Sequence, residues 1–213
     1  MKTTGRAQGI LFPFIIFTAI WGSTWIVIRD QLGTVPAQWS VSYRFVLAAM
    51  AMFAVARWNG DRLRPDRRLI GAAALIGIAQ FTINFNAVYM AEHFITSGLV
   101  ATVFALLMVP NALLAWWMLG QKPDARFLGA SAIAAAGIGL LFLHEYRDNP
   151  ALDGRMLAIG IGWTLVGMLG ASVSNVYQAR PKVRELPLFA LLAWAMAIGA
   201  ALDVVIALVM TGA

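Results

Sequence analysis

The chain has 213 residues, 61% of them hydrophobic and 12% charged; soluble domains carry about 25% charged residues, so an ordinary soluble fold is excluded and the surplus apolar surface needs lipid. The formal net charge is +6, and membrane topology accounts for that excess better than nucleic acid does. With no cysteine in the chain, disulfides, thiolate metal sites and cysteine nucleophiles are excluded.

Seven apolar stretches follow one another, and length and lack of charge predict an all-α integral membrane fold of seven transmembrane helices. The first, Ile10–Ile28, follows Lys2 and Arg6. It exceeds the roughly 7–15 residues of a signal-peptide h-region, and no small-x-small cleavage site follows, so it reads as a retained span. Trp21 and Trp25 lie one helical turn apart inside it, either lining a cavity or packing helix on helix. The second stretch, Ala37–Ala56, carries Arg44. The third, Leu69–Ala91, holds Gln80, Thr82, Asn84 and Asn86. Only Glu92-His93 separates it from the fourth, Phe94–Leu119, which contains Pro110 and Asn111. So short a connection makes these two antiparallel neighbours. Polar amides and a helix breaker in hydrocarbon are costly unless they face protein or water, so this hairpin is expected to line a polar pathway. The fifth stretch, Phe127–Leu143, is dense in Gly and Ala and reads as a close-packing helix. The sixth, Met156–Ala179, carries Gly160, Gly162, Gly167 and Gly170, which read likewise. The seventh, Leu188–Met210, contains Asp203, a carboxylate within a span.

Chemistry other than transport finds little support. His93 and His144 fall in connections, too far apart for a metal motif, and no Gly-rich stretch continues into the Lys-Ser/Thr of a phosphate loop. Paired acids, His-rich motifs and Ser-Lys or Ser-His pairings are missing from the spans. The expectation is therefore no catalytic residue, no metal, no cofactor and no nucleic-acid partner; the partners are the lipid bilayer and a small-molecule solute. Lipid-facing and partner-facing small residues look alike, which leaves a homodimer open.

Basic residues set the orientation. Lys2 and Arg6, the Arg57–Arg68 connection, Lys122 with Arg126, and Arg180, Lys182 and Arg184 all fall on one side. The other side has Arg29, Arg147 and Arg155, offset by Asp30, Asp148 and Asp153. The amino terminus is thus expected in the cytoplasm. Trp39, Trp58 and Trp116-Trp117 sit at span ends, where interfacial aromatic residues belong.

A shift of 151 residues lays the sixth and seventh stretches on the first and second. Ser23 then meets Ser174, Thr24 meets Asn175, Arg29 meets Arg180 and Pro36 meets Pro187. A repeat unit of five spans inverts its second copy, a recurring plan of secondary transporters with the solute site between the copies. Residues 1–145 form the first unit, and 155–213 begin the second. A full second unit would need about three more helices, so a truncated ten-span protein is expected.

Several stretches resemble a known family. WGSTWIVIR (Trp21–Arg29) and VPAQWSVSYRF (Val35–Phe45) resemble the opening of an EamA domain. FNAVYMAEHFITSGLVATVFALLMVPNALLAWWMLGQKPDARFLGASAIAAAGIGLLF resembles its third to fifth helices, with Pro110 at the family's fourth-helix proline. SVSNVYQAR (Ser172–Arg180) resembles the start of a second EamA domain. The resemblance covers nearly the whole chain. It implies two inverted five-helix units of the drug/metabolite transporter superfamily, and movement of metabolites such as amino acids across the bacterial inner membrane. Many members carry Glu after the glycine closing the fourth helix; here Gly120 is followed by Gln121, read as a helix-end position of little consequence.

The leading functional expectation is thus a multi-pass secondary transporter, in the exporting direction, working by alternating access and without covalent chemistry. The alternative is an inactive fragment or non-transporting scaffold. Candidate pathway residues are Trp21, Ser23, Thr24, Trp25, Arg44, Gln80, Asn84, Asn111, Ser174 and Asn175. Arg44 lies about seven residues into its span, roughly 10 Å below the surface at 1.5 Å per residue. It binds a solute carboxylate, snorkels to the interface or ties helices together. Gln80 and Asn84 share a helical face while Asn86 points elsewhere; their alternative role is interhelical hydrogen bonding, about 0.6 kcal/mol each. Asp203 is a proton-relay candidate or a neutral, hydrogen-bonded acid. Pro110 frees the carbonyl of Leu106, giving a static kink or a gating hinge.

Overall fold

A computed structural model describes residues 4–32, 35–148 and 153–212. Among them, seven helical runs are long and apolar enough to cross a membrane, and no strand occurs. The helices are α1 (Thr4–Leu32), α2 (Ala37–Trp58), α3 (Arg67–Ile76), α4 (Phe85–Glu92), α5 (Ser97–Phe104), α6 (Met108–Leu119), α7 (Ala125–Asp148), α8 (Gly154–Gln178), the short α9 (Pro181–Arg184) and α10 (Leu188–Thr211). A π-helical segment, Gly77–Asn84, joins α3 to α4, and a 3₁₀ turn, Ala105–Leu107, joins α5 to α6. Lys2 and the side chains of Arg6, Arg29 and Asp148, all used for orientation, lie outside the described residues.

Helix ends follow local chemistry. Asp66 accepts from the Leu69 N–H at 2.7 Å and starts α3. Asp153 accepts from the Arg155 N–H at 3.0 Å and starts α8. Thr96 caps α5, so the connection after α4 is longer than the two residues expected. The 3₁₀ turn is where Pro110 predicts trouble: a proline in a helix clashes with the carbonyl four residues back, here Leu106. Gly120 ends α6 at φ +72°, a left-handed conformation that only glycine adopts without strain. The backbone N–H of Gln121 then closes the helix on the Ala115 carbonyl at 3.3 Å. Gln121 therefore acts at the helix end through its main chain.

The third span, α3 through α4, is the core of the bundle. It runs antiparallel to α8 and parallel to α10. A Cβ on Gly170 would stand 2.7 Å from the Ala79 carbonyl oxygen, and one on Gly167 3.1 Å from that of Asn84. On the opposite side, a Cβ on Gly199 would stand 2.6 Å from the Phe81 Cβ, and one on Gly77 2.6 Å from the Ala195 carbonyl oxygen. Small residues thus let two helices close onto the π segment. Tyr89, Ile76, Val41 and Val100 are fully buried around it.

α2 and α10 pack along their lengths in opposite directions. Trp39 Nε1 donates to Thr211 Oγ1 at 3.2 Å at one end. At the other, Phe53 meets Trp194 edge-on, Trp194 Nε1 donates to the Leu63 carbonyl at 2.9 Å, and the Ala190 N–H donates to Asp61 at 3.2 Å. The groove between them is lined by Val46, Ala49, Met50 and Phe53 facing Ala197, Ala200, Ala201 and Val204. Arg68 pairs with Glu185 at 2.7 Å and donates to the Lys182 carbonyl. These contacts put the basic α2–α3 and α8–α10 connections at one end of the bundle.

α7 differs from its expected role. Gly129, Gly137 and Gly139 have no side-chain or foreign backbone atom within reach of an added Cβ, and Phe142 is the one buried side chain among those described on this helix. Small residues permit close approach without supplying a neighbour, and here the approach is not made within the chain.

Candidate functional site

A cavity of about 460 Å³ opens between α1, α2, the third span and α8. Its volume lies in the range of small-molecule sites. From α1 come Trp21, Thr24 and Trp25; from α2, Arg44; from the π segment, Gln80 and Asn84; from α8, Asn175. Seven of the ten pathway candidates therefore meet here. The wider turn of a π-helix keeps residues four apart on one side, which aims both Gln80 and Asn84 inward. π turns within α-helices are frequent at functional sites.

Three polar groups of this cavity are buried and unpaired: Arg44 Nη1, Gln80 Oε1 and Asn84 Oδ1. Buried polar atoms nearly always have partners, and each exception asks for a reason. The Arg44 guanidinium also lies 5.5 Å from the centroid of the Phe85 ring. Its Nη1 hydrogen-bonds no other helix.

Phe17, Phe45, Phe85 and Phe104 complete the apolar wall. Sequence reasoning missed them, because helices apolar all round carry no periodicity to pick out a face. One signal existed: Phe17 stands a turn before Trp21, and the two rings touch at 5.3 Å. Trp25 meets Phe104 at 5.7 Å.

Three candidates lie off this cavity. Ser23 is exposed on α1 and donates to the Ile20 carbonyl at 3.0 Å. Ser174 is fully buried and accepts from Gln178 Nε2 at 3.1 Å. One residue of helical rotation separates each serine from its lining neighbour, Thr24 or Asn175. Asn111 sits on α6 with its Oδ1 buried and unpaired, outside this lining. Pro110 borders a separate apolar cleft of about 340 Å³ between α6 and α7. Asp203 lies on the far side of the π segment. Its Oδ1 accepts from Asn86 Nδ2 at 2.8 Å, while Oδ2 is buried without a partner. Asn86 thus points away from the cavity, as its position predicts. Among the described residues, no group of His, Asp and Glu is arranged to hold a metal ion.

Among the described residues, seven membrane-length helices, several of them bordering a polar-lined cavity, define a multi-pass membrane protein. Residues 8–143 match the EamA-like transporter family, and the chain belongs to it. This is a family of transporters and not of enzymes. The chain is 31% identical over 169 residues to YedA of Escherichia coli, an uncharacterized inner membrane transporter, covering 78% of this chain and 53% of YedA. It is 27% identical over 146 residues to protein PagO of Salmonella typhimurium, covering 68% of this chain and 47% of PagO. A probable amino-acid metabolite efflux pump of Escherichia coli is 25% identical over 191 residues, covering 88% of this chain and 60% of the pump. The chain therefore spans about half the length of the curated relatives it matches. No solved structure matches it. Together the family and the seven helices make this a multi-pass inner-membrane protein.

Proposed function

We propose that the protein carries small organic metabolites across the inner membrane, in the exporting direction, by exposing the cavity alternately to the two sides. The single observation that carries this reading is the convergence of Arg44, Gln80 and Asn84, buried and unpaired, on one aromatic-walled cavity. A solute would supply the missing partners. The relative named as an amino-acid metabolite efflux pump supports both the solute class and the direction.

The α2–α10 pair supports an inverted repeat, with residues 1–145 as the first five-helix unit and 155–213 as the start of a second. Each α10 residue in the shared groove stands 151 positions after one on α2: Ala197 after Val46, Ala200 after Ala49, Ala201 after Met50, Val204 after Phe53. Such self-matching is what a two-fold relation through the groove produces, and inverted units rocking about an axis are a known basis of alternating access. In this scheme the amino terminus is cytoplasmic, Pro110 with its 3₁₀ turn is the hinge, and Asp203 relays a proton.

Because the chain has no cysteine, a single thiol reports access. Asn84→Cys in oriented vesicles is expected to react with an impermeant thiol reagent from either side, with added solute shifting the balance between sides. Reactivity from one side alone, unchanged by any solute and accompanied by no flux, would leave the scaffold alternative standing.

A further inference from the structure

Resting on the reading of this cavity as the solute path, we infer that the solute is a monocarboxylate with an aromatic or aliphatic body, its carboxylate held by Arg44. The cavity's charge balance carries the argument. Among the described residues, Arg44 is the one full charge in its lining, with no Asp, Glu or Lys beside it. A cation in a low-dielectric site without a counter-ion is costly. The cost is relieved when an anion binds, and a single negative charge matches a single guanidinium. A dianion would leave one charge uncompensated. An amine without an acid group would add a second positive charge and find no carboxylate.

The geometry of the donor favours the same class. Nη1 is buried without an acceptor, and a planar guanidinium suits a planar carboxylate through charge-assisted hydrogen bonds. Phe85, stacked near it at 5.5 Å, limits its motion. Facing groups are neutral: the unpaired Gln80 and Asn84 oxygens accept from an N–H or O–H of any charge. So the acid end of the solute is required, whereas the donor end is read weakly. The walls formed by Phe17, Trp21, Trp25 and Phe104 take an apolar body.

The test uses a Thr24→Cys reporter in the cavity and four probes of one shape: 3-phenylpropanoate, L-phenylalanine, 2-phenylethylamine and 3-phenylpropan-1-ol. Both carboxylates are expected to protect the thiol from modification at concentrations at least roughly tenfold below those of the amine and the alcohol. Adding Arg44→Gln should erase that tenfold advantage, while Arg44→Lys should keep part of it. Equal protection by amine and carboxylate, or an Arg44→Gln protein that still prefers carboxylates, overturns the inference. Protection by the alcohol in both proteins shows that the cavity is intact and accessible, so failure of the carboxylate preference then falls on the inference alone. If no probe protects the wild-type cavity, the solute-path reading fails and the inference with it. Should Arg44→Gln lose the alcohol as well, the wild-type ranking of the four probes still decides.

Discussion

Asp203 and Asn86 form the most consequential side-chain contact away from the cavity. Asn86 Nδ2 donates both to Asp203 Oδ1 at 2.8 Å and to the Thr82 carbonyl at 2.9 Å, so one amide ties α10 to the third span. Truncating the acid leaves one N–H of this half-buried amide without its acceptor. Asp203→Ala is therefore expected to cost about 1–3 kcal/mol, seen as a lower Tm in detergent. Asp203→Asn keeps an acceptor oxygen in nearly the same volume and should hold its Tm close to wild type. That contrast separates structure from coupling: a folded Asp203→Asn protein that has lost the pH dependence of transport fits a proton relay, and an unaltered pH profile removes Asp203 from that role. The residue types were readable in advance. Their meeting was not, because it joins positions 117 apart, and all-apolar helices give no sign of which faces will touch.

At the scale of elements, glycine decides how closely α8 and α10 approach the π segment. An added methyl on Gly199 would stand 2.6 Å from the Phe81 Cβ and 3.1 Å from the Gly77 carbonyl oxygen, so backbone must move. Gly199→Ala is expected to destabilise by roughly 1–3 kcal/mol through overpacking and to disturb the inward aim of Gln80 and Asn84. Gly162 has nothing within 4 Å of an added Cβ. Its change to Ala should leave the thermal midpoint unchanged or slightly raised, since Ala favours helix. Thermal unfolding of the two variants in the same detergent checks both. Sequence reading treated the α8 glycines alike, because spacing alone does not reveal that Gly167 and Gly170 face the third span while Gly162 faces open space. The π segment was also invisible beforehand: no proline or charge marks Gly77–Asn84. Pro110, by contrast, did announce a break, one turn ahead of itself.

For the whole molecule, span number and order were legible because hydrocarbon imposes length and excludes charge. The cavity was legible through its polar members and through Trp21 and Trp25 one turn apart, since an amide in lipid stands out and a phenylalanine does not. The shift of 151 residues pointed to an α2–α10 relation, and the facing of Ala49 and Ala200 across one groove is its spatial counterpart. Both side chains are small and nearly buried, at 5% and 3% exposure, so their backbones lie close. A cysteine pair at these two positions in the otherwise thiol-free chain should cross-link within one polypeptide with a short bifunctional reagent. Ala49 paired with Gly137 on α7 should not, because α7 lies away from this groove. If the two units rock against each other about this groove, the cross-link halts transport and a reducible reagent allows its recovery. It should leave solute protection of a cavity residue in place, since that site is lined mainly from the other side of the third span. Full transport through the cross-linked protein would show that α2 and α10 move as one body, and the moving boundary would then have to lie elsewhere, with the 3₁₀ turn before Pro110 next in line.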